Sequence, residues 1–388
     1  MNKIYFDHNA TTPVIDEVFE AMAPYLKDQW GNPSSIHWAG RGPKKAVEEA
    51  REKVARLLNC TPLEVIFTSS GTEGDNHAIK GLAYARKDRG NHIITTKVEH
   101  PAVLNTCKHL AKEGFEVTYL GVDSGGMIDL EELRKSITPK TILITVMFAN
   151  NETGVIFPIG EIGEIARERG VAFHTDAVQA AGKTPIDAQK LNVDLLAISG
   201  HKLYGPKGVG ALFAKRGVRL VPLIHGGHHE RNRRGGTENV PGIVALGKAC
   251  EIAARDMDAE TAHLKALRAR LESGIAEKIP YIKINGHPDK RLPNTANISF
   301  EFVEGESLLL NLDMKGIAAS SGSACTSGSL EPSHVLVSMG ITHELSHGSV
   351  RFSLGKSNTM EEVEYLIEVM PPIVERMRSM SPLYAGIK

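Results

Sequence analysis

The feature of this 388-residue chain that most constrains its fold is the alternation of short, β-branched apolar runs with amphipathic helical patterns. Such an alternation is typical of βαβ units, in which parallel strands form a sheet that helices cover. The runs occupy residues 65–68, 92–95, 116–119, 141–146, 171–174, 195–198 and 208–213. They predict an α/β fold whose larger domain holds a mostly parallel, seven-stranded sheet.

The length of the chain and a change of pattern in its second half predict two domains. A chain of 388 residues exceeds the usual size of one hydrophobic core. An amphipathic helical stretch covers about residues 244–277, and helices with antiparallel-looking strands such as 295–300 follow it. We therefore predict a large cofactor-binding domain over 14–262 and a smaller α+β domain formed by 1–13 and 263–388.

Charge and cysteine content argue against several classes of protein. The 45 basic and 46 acidic residues give a net charge of −1, so bulk charge favours neither nucleic acid nor a membrane surface. The cysteines, Cys60, Cys107, Cys250 and Cys325, lie far apart, unlike those of a zinc ribbon or a disulfide framework. Neither a secretion signal nor a run of about 18 apolar residues is visible. We expect a cytoplasmic protein that binds neither nucleic acid nor membranes.

A lysine and an aspartate follow two neighbouring predicted strands. Asp176 ends one strand, and Lys202, in the motif Ser199-Gly200-His201-Lys202, follows the next. Side chains at the carboxyl ends of parallel strands point into the crevice where ligands bind. A lysine there can hold an aldehyde cofactor as a Schiff base, and a carboxylate can keep a pyridine nitrogen protonated. The pair predicts a pyridoxal phosphate site; the alternatives are a solvated lysine and an ordinary loop aspartate.

Two segments are candidates for binding the phosphate of such a cofactor. Residues 69–73 follow a predicted strand and open a helix, where backbone N–H groups, the Thr72 hydroxyl and the helix dipole attract an anion. Ser199 and His201, next to the lysine, supply further donors. The structural alternative is that Ser70 or Thr72 only caps the helix.

Three more polar residues are candidates for contacts with the ring or the substrate. His100, in Glu99-His100-Pro101, can stack over a cofactor ring and move protons near neutral pH. Gln179 can donate a hydrogen bond to a phenolic oxygen of the ring, and Asn151 can bind the cofactor or the substrate. Taken singly, Gln179 is more often an ordinary cap or loop group, and Asn151 is equally a turn residue.

Cys325 stands in a run of small and polar residues over 320–329, a composition unlike that of a core segment. The thiolate is the nucleophilic form of cysteine, so catalysis by Cys325 requires local activation of a thiol whose unperturbed pKa is about 8.5. Glycine and serine give such a segment conformational freedom. We predict a mobile loop over about 319–331 that carries a nucleophilic cysteine; the alternative is a small core residue.

These residues belong to longer motifs that, in this order, resemble those of the cysteine desulfurases of the NifS/IscS type. That family is a branch of the fold-type I, class V aminotransferase-like pyridoxal-phosphate enzymes. The resemblance extends over nearly the whole chain. It rests on residues 5–13, 31–35, 150–154, 199–202, 234–239 and the segment around Cys325. It implies a fold-type I architecture, pyridoxal 5'-phosphate as cofactor and L-cysteine as substrate.

The resemblance also implies a role for each candidate residue. Lys202, Cys325 and His100 would be catalytic. The residues that it places around the cofactor are Gly71, Thr72, His100, Asn151, Asp176, Gln179, Ser199, His201, Lys202 and Thr237. Arg351, together with Asn151, would bind the substrate carboxylate, a task that suits a planar guanidinium group.

The resemblance further implies a homodimer with shared active sites, because Thr237 of this family reaches the phosphate of the neighbouring subunit's cofactor. His225, His228 and His229 lie close together and are candidate metal ligands. A similar glycine-rich loop in the family favours an interface or active-site role for them instead. We predict no intrinsic metal site, although Cys325 can transiently ligate a cluster held by a scaffold partner.

The implied reaction removes sulfur from L-cysteine, leaving L-alanine and a persulfide on Cys325. The sulfur would pass to an iron–sulfur scaffold protein or another acceptor. The open destinations are nitrogenase maturation, housekeeping iron–sulfur clusters, and thiolated tRNA and vitamins, and the residues around Cys325 favour the nitrogen-fixation branch. The alternatives on the same fold are a pyridoxal-dependent cysteine or selenocysteine lyase and an aminotransferase. Neither of these reactions needs a protein thiol, so Cys325 favours the desulfurase.

Overall fold

The computed structural model describes residues 3–321 and 331–385. The seven strands of the large sheet lie where the apolar runs predict them, and the predicted bounds differ from the observed ones by no more than two residues. The strands are β1 (Ile4–Tyr5), β2 (Val65–Thr68), β3 (His92–Thr96), β4 (Glu116–Leu120), β5 (Thr141–Thr145), β6 (Ala172–Asp176), β7 (Leu195–Ser199), β8 (Gly210–Ala214), β9 (Ile282–Ile284), β10 (Thr295–Phe300), β11 (Ile317–Ala318) and β12 (Ser349–Ser353). The predicted α/β class is confirmed.

Within the described residues, seven strands form the large sheet in the order β2-β8-β7-β6-β5-β3-β4. Strands β3 to β7 pair in parallel, whereas β8 pairs antiparallel with both β7 and β2. In the register of β6 and β7, Asp176 is opposite Ala197. The carboxyl ends of these two strands therefore meet at one edge of the sheet, as the prediction for Asp176 and Lys202 requires.

Helices cover both faces of this sheet. They are α1 (Asp16–Lys27), α2 (Trp38–Leu58), α3 (Gly71–Ala85), α4 (Pro101–Lys112), α5 (Leu130–Ser136), α6 (Ile159–Arg169) and α7 (Val240–Lys278). Successive strand residues enter different cores, since Ile66 and Leu195 pack in one cluster and Phe67 and Leu196 in another. Helix α6 ends at Gly170, whose φ of 68° is the left-handed cap that glycine favours.

A second core lies between the later helices and two small sheets. Strands β12, β10 and β9 form an antiparallel sheet, and β1 pairs in parallel with β11. The helices of this part are α8 (Gly305–Asp313), α9 (His334–Ser338), α10 (His343–His347), α11 (Met360–Met380) and α12 (Pro382–Ala385). Ile4 and Phe6 pack into this core with α7, α8 and α11.

Helix α7 contributes to both cores. Residues in its first half, such as Leu246 and Ile252, pack with the large sheet, and Leu264 and Leu271 pack with the second core. The predicted boundary at residue 263 therefore falls inside one continuous helix, and the division into domains stays a prediction. In the described part of the chain, no helix is long and apolar enough to cross a membrane.

Candidate active site

A cavity of about 310 Å³ opens at the carboxyl ends of the parallel strands, a volume at the lower end of the range for small-molecule sites. Among its lining residues are almost all of the predicted site residues. These are Gly71, Thr72, His100, Asn151, Asp176, Gln179, Ser199, His201, Lys202 and Arg351. The fold therefore brings together side chains that are distant in the sequence.

The first turn of α3 forms one end of the cavity. The Ser70 hydroxyl accepts a hydrogen bond from the backbone N–H of Glu73 at 3.1 Å, so Ser70 caps the helix. A Cβ atom on Gly71 would lie 2.5 Å from a methyl group of Val178, so only glycine fits at this position. The capping alternative is thus correct for Ser70, while Gly71 and Thr72 still face the cavity with the positive end of the helix.

Lys202 lies in a short 3-10 turn, Gly200–Lys202, directly after β7. Its ammonium group donates to the backbone carbonyl of Ala10 at 2.7 Å and to that of Asn9. The amide nitrogen of Gln179 donates to the same Asn9 carbonyl at 2.9 Å. The N-terminal segment therefore aims the lysine at the cavity and holds Gln179 beside it.

Asp176 is the last residue of β6 and is buried. Burial raises the pKa of its carboxyl, whereas the backbone N–H of Val178 and the charge of Lys202 oppose that shift. One carboxylate oxygen accepts from the backbone N–H of Val178 at 2.9 Å. A cation placed against the other oxygen would therefore stabilise the ionised form.

The two histidines of the cavity are neutral at pH 7. Burial lowers the pKa of His100, and it lowers the pKa of His201 to about 4, with Lys202 adding to that shift. His100 caps α4, and its Nδ1 accepts from the backbone N–H of Ala102 at 3.1 Å. The ring proton is therefore on Nε2, where it is available for donation.

Arg351 is nearly fully buried in β12, with 4 % of its surface exposed. One Nη donates to the carbonyl of Asn151 at 3.0 Å and the other to the carboxylate of Asp7 at 2.9 Å. Its Nε has no hydrogen-bond partner among the described residues. The guanidinium group is held on two sides and retains donor capacity for an acid.

These residues fit pyridoxal phosphate. The helix end at Gly71, a cradle that a Cβ atom would fill, suits its phosphate, and the buried carboxylate of Asp176 suits a protonated ring nitrogen. Gln179 has a second amide hydrogen, and its buried Oε1 has no partner among the described residues. Lys202 supplies the amine that binds an aldehyde.

Two predicted site residues are not in this cavity. Cys325 lies outside the described residues, so the predicted loop position is neither supported nor contradicted. Thr237 lines a separate cavity with Phe67, Ser69 and Arg234. Thr237 therefore does not line the candidate active site of its own chain. Its contact with the cofactor phosphate of a neighbouring subunit stays a prediction.

The histidine-rich segment is organised by an ion pair. Glu230, whose φ is 46°, accepts from both Nη atoms of Arg51 at 2.7 and 2.9 Å, and from the backbone N–H of Phe67 at 3.0 Å. His228 hydrogen-bonds to Asn232 at 2.5 Å. Across residues 3–321 and 331–385, no group of three or more His, Cys, Asp or Glu residues is arranged to hold a metal ion.

Two polar side chains line the cavity that were not among the predicted site residues, Asn9 and Asp75. Asn9 belongs to a motif that was noted only for its resemblance, and its contact with Lys202 spans 193 positions. Asp75 lies one helical turn after Gly71, so the spacing could have placed it on the same face of α3. An acidic residue at a buried position of a helix is the signal that was available.

Comparison with known proteins identifies the class of protein. The family model for class-V aminotransferases matches residues 4–366. The chain therefore belongs to the class-V aminotransferase family, as the resemblance implied. Within that family it belongs with the cysteine desulfurases, since it is 57 % identical over 380 residues to cysteine desulfurase IscS of Methanosarcina thermophila, covering 98 % of this chain and 94 % of that one.

Solved structures agree in fold. A NifS-like protein superposes with a TM-score of 0.91 at 40 % identity, over 97 % of this chain and all of that one. SspA in complex with cysteine superposes with a TM-score of 0.81 at 39 % identity, over 91 % of this chain and 99 % of that one. The predicted fold-type I architecture is thereby confirmed.

Proposed function

We propose that this chain is a pyridoxal-phosphate-dependent cysteine desulfurase that takes sulfur from L-cysteine. The observation that carries the proposal is the meeting of Lys202, Asp176 and Arg351 in one cavity of a chain so similar to cysteine desulfurases. The solved complex of SspA with cysteine supports the choice of substrate.

Each end of the cavity has a task in holding the cofactor. Gly71 and Thr72 would bind its phosphate together with Ser199 and His201, and Asp176 would pair with its ring nitrogen. When bound, pyridoxal phosphate supplies an aldehyde for amines and a ring that withdraws electrons from the substrate's α-carbon. His201 is neutral because burial lowers its pKa, and its ring N–H group can donate a hydrogen bond to the phosphate.

Three side chains then act on cysteine. Arg351 binds the substrate carboxylate, because Asn151 and Asp7 hold its guanidinium group in place. The Lys202 amine takes the α-proton, and the carbonyls of Asn9 and Ala10 orient that amine. His100 carries a proton on Nε2 and donates it to the substrate during cleavage.

Cys325 would receive the sulfur. Its thiolate attacks the substrate sulfur, a sulfur–sulfur bond forms, and the carbon–sulfur bond breaks. The electron pair left on carbon takes up protons, so cysteine and the protein thiol become alanine and a protein persulfide with no external oxidant or reductant. An iron–sulfur scaffold or another acceptor would collect the sulfur; the nitrogenase destination and a cytoplasmic location stay predictions.

We further propose that two chains form a homodimer through the exposed apolar surface around α1 and the start of α2. On this surface Ile36 is 94 % exposed and Trp38 77 %, with Phe19, Leu26 and Trp30 nearby in the sequence. Exposed apolar groups of this size mark interaction sites. Such a dimer is the arrangement in which Thr237 would serve a partner's cofactor.

The dimer predicts a change in mass for the double variant Ile36→Asp, Trp38→Asp. We expect two charges at these positions to separate the subunits, and light scattering to give the mass of one chain in place of two. Leu310→Asp is the matched control, because Leu310 is 66 % exposed on α8. A double variant with the mass of the wild type would contradict the proposed interface.

The activity predicts a defined pair of products. Purified protein with pyridoxal phosphate, L-cysteine and a thiol reductant should give alanine and sulfide in equal amounts. Pyruvate with ammonia would identify a lyase, and an amino group passed to a keto acid would identify an aminotransferase. Either of these results would replace the proposed function.

A further inference from the structure

A buried acid–histidine pair lies beneath the active-site cavity. Asp75 on α3 is 1 % exposed and His174 on β6 is fully buried. Oδ1 of Asp75 lies 3.5 Å from Nε2 of His174, and neither atom has a hydrogen-bond partner within bonding geometry among the described residues. The proposed mechanism gives neither residue a task.

The pair adjoins the residue that would bind the ring nitrogen. His174 and Asp176 are two positions apart on β6, so they are on the same face of the sheet. Asp75 lines the cavity together with Asp176, and the charge of Asp176 raises the pKa of Asp75. Two negative charges at this depth would therefore destabilise each other.

The surroundings decide which carboxyl gives up its proton. Asp176 faces Lys202 and accepts a hydrogen bond from the backbone N–H of Val178, and both favour its ionised form. Burial is the largest cause of the raised pKa of Asp75, and the charges of Asp176 and Glu99 raise it further. A proton is therefore held on Asp75 more readily than on Asp176.

The second nitrogen of His174 completes the arrangement. Nδ1 of His174 lies 2.8 Å from the Thr145 hydroxyl, on the neighbouring strand β5. Burial lowers the pKa of His174 to about 3, so the ring is neutral. A neutral ring whose Nε2 accepts a hydrogen bond carries its own hydrogen on Nδ1 and donates a hydrogen bond from there to the Thr145 hydroxyl.

We propose that Asp75 is a positioning residue that stays protonated, donates its carboxyl hydrogen to Nε2 of His174, and leaves the negative charge of this region on Asp176. The pair has no net charge whether its proton sits on Asp75 or on His174. Asp176 can then ionise against the ring nitrogen without a second anion beside it. This inference rests on the proposed function for the role of Asp176, but its test needs no turnover.

Infrared difference spectroscopy tests the proton directly, on cofactor-loaded protein without cysteine. The spectrum of wild type minus Asp75→Asn at pH 7.5 should contain the carbonyl stretch of a protonated carboxylic acid. His174→Gln, which alters the hydrogen-bond acceptor, should shift that band. A difference spectrum that contains only carboxylate bands would overturn the proposal.

The electrostatic role has a second readout. Asp75→Asn keeps a neutral donor for His174, so the dissociation constant for pyridoxal phosphate should stay within about twofold of the wild type at pH 7.5. Asp176→Asn, the matched control, should weaken it by about 10- to 100-fold, as expected for loss of a charge-assisted hydrogen bond. A tenfold change in Asp75→Asn would show that this carboxyl is charged and would overturn the proposal.

A pH titration separates this role from a purely structural one. In alkaline solution the wild type should show a step in the cofactor absorption as Asp75 ionises, and Asp75→Asn should lack it. Identical titrations of the two proteins would contradict the coupling to Asp176. Protein that passes these tests but forms no alanine would instead refute the proposed function.

Discussion

Replacing Lys202 with alanine is expected to reduce alanine formation by about 10²- to 10⁴-fold, the range that a positioned acid–base group contributes. The reason is the position of its amine, which lies at the carboxyl end of β7 and is aimed into the cavity by the carbonyls of Asn9 and Ala10. Removal of the amine takes away both the cofactor's covalent partner and the base for the α-proton. Rates of alanine release under saturating cysteine and pyridoxal phosphate measure the effect.

The matched control for this prediction is Lys207→Ala. Lys207 is an exposed lysine in the same loop and does not line the cavity. It should keep nearly the full rate. Added methylamine should restore part of the activity of Lys202→Ala, because a small amine can accept the α-proton from solution. A rate within tenfold of the wild type would exclude Lys202 as the base.

The sequence predicted the large sheet well because each of its strands carries a local signal. A parallel strand buried on both faces is a continuous apolar run, and such runs are visible at 141–146 and 195–198. Strand direction has no such signal. The antiparallel pairing of β8 with β7 follows from the path of the chain, because the turn through Gly208 brings the chain back beside β7 in the opposite direction.

The site residues that directly follow a strand could be predicted from the sequence. Those that reach the site from a distant segment of the chain could not. Asp176 and Lys202 are next to strands, so the topology of a parallel sheet brings them together. Asn9 reaches Lys202 from the other end of the chain, and no local pattern encodes that contact. Asp75 on α3 meets His174 on β6, and no local pattern encodes that contact either.

The domain boundary shows a further limit of sequence patterns. A change from βαβ units to antiparallel strands is visible near residue 263, but α7 is continuous from Val240 to Lys278. Its first half is buried against the large sheet and its second half against the smaller core. Amphipathic periodicity identifies the helix, whereas the identity of the surface it packs on depends on the tertiary fold.

Cys325→Ser should abolish persulfide formation, with a loss of alanine on the order of 10³-fold or more, while the cofactor is retained. A serine hydroxyl is not ionised at neutral pH and is a poor nucleophile toward sulfur. The other cysteines cannot substitute, because burial raises the pKa of Cys60, Cys107 and Cys250 to about 12 in each case. Mass spectrometry of the protein after one turnover measures the extra sulfur atom.

Cys60→Ala is the control for this experiment, since Cys60 is partly exposed but its thiol is held protonated. It should form the persulfide at the wild-type rate. The cofactor absorption should be the same in Cys325→Ser and wild type, because the cavity that fits the cofactor contains no cysteine among its described lining residues. Undiminished alanine and sulfide from Cys325→Ser would mean that sulfur leaves without passing through a protein thiol. The same cavity would then have to cleave the carbon–sulfur bond with Lys202 and His100 alone, as a lyase does.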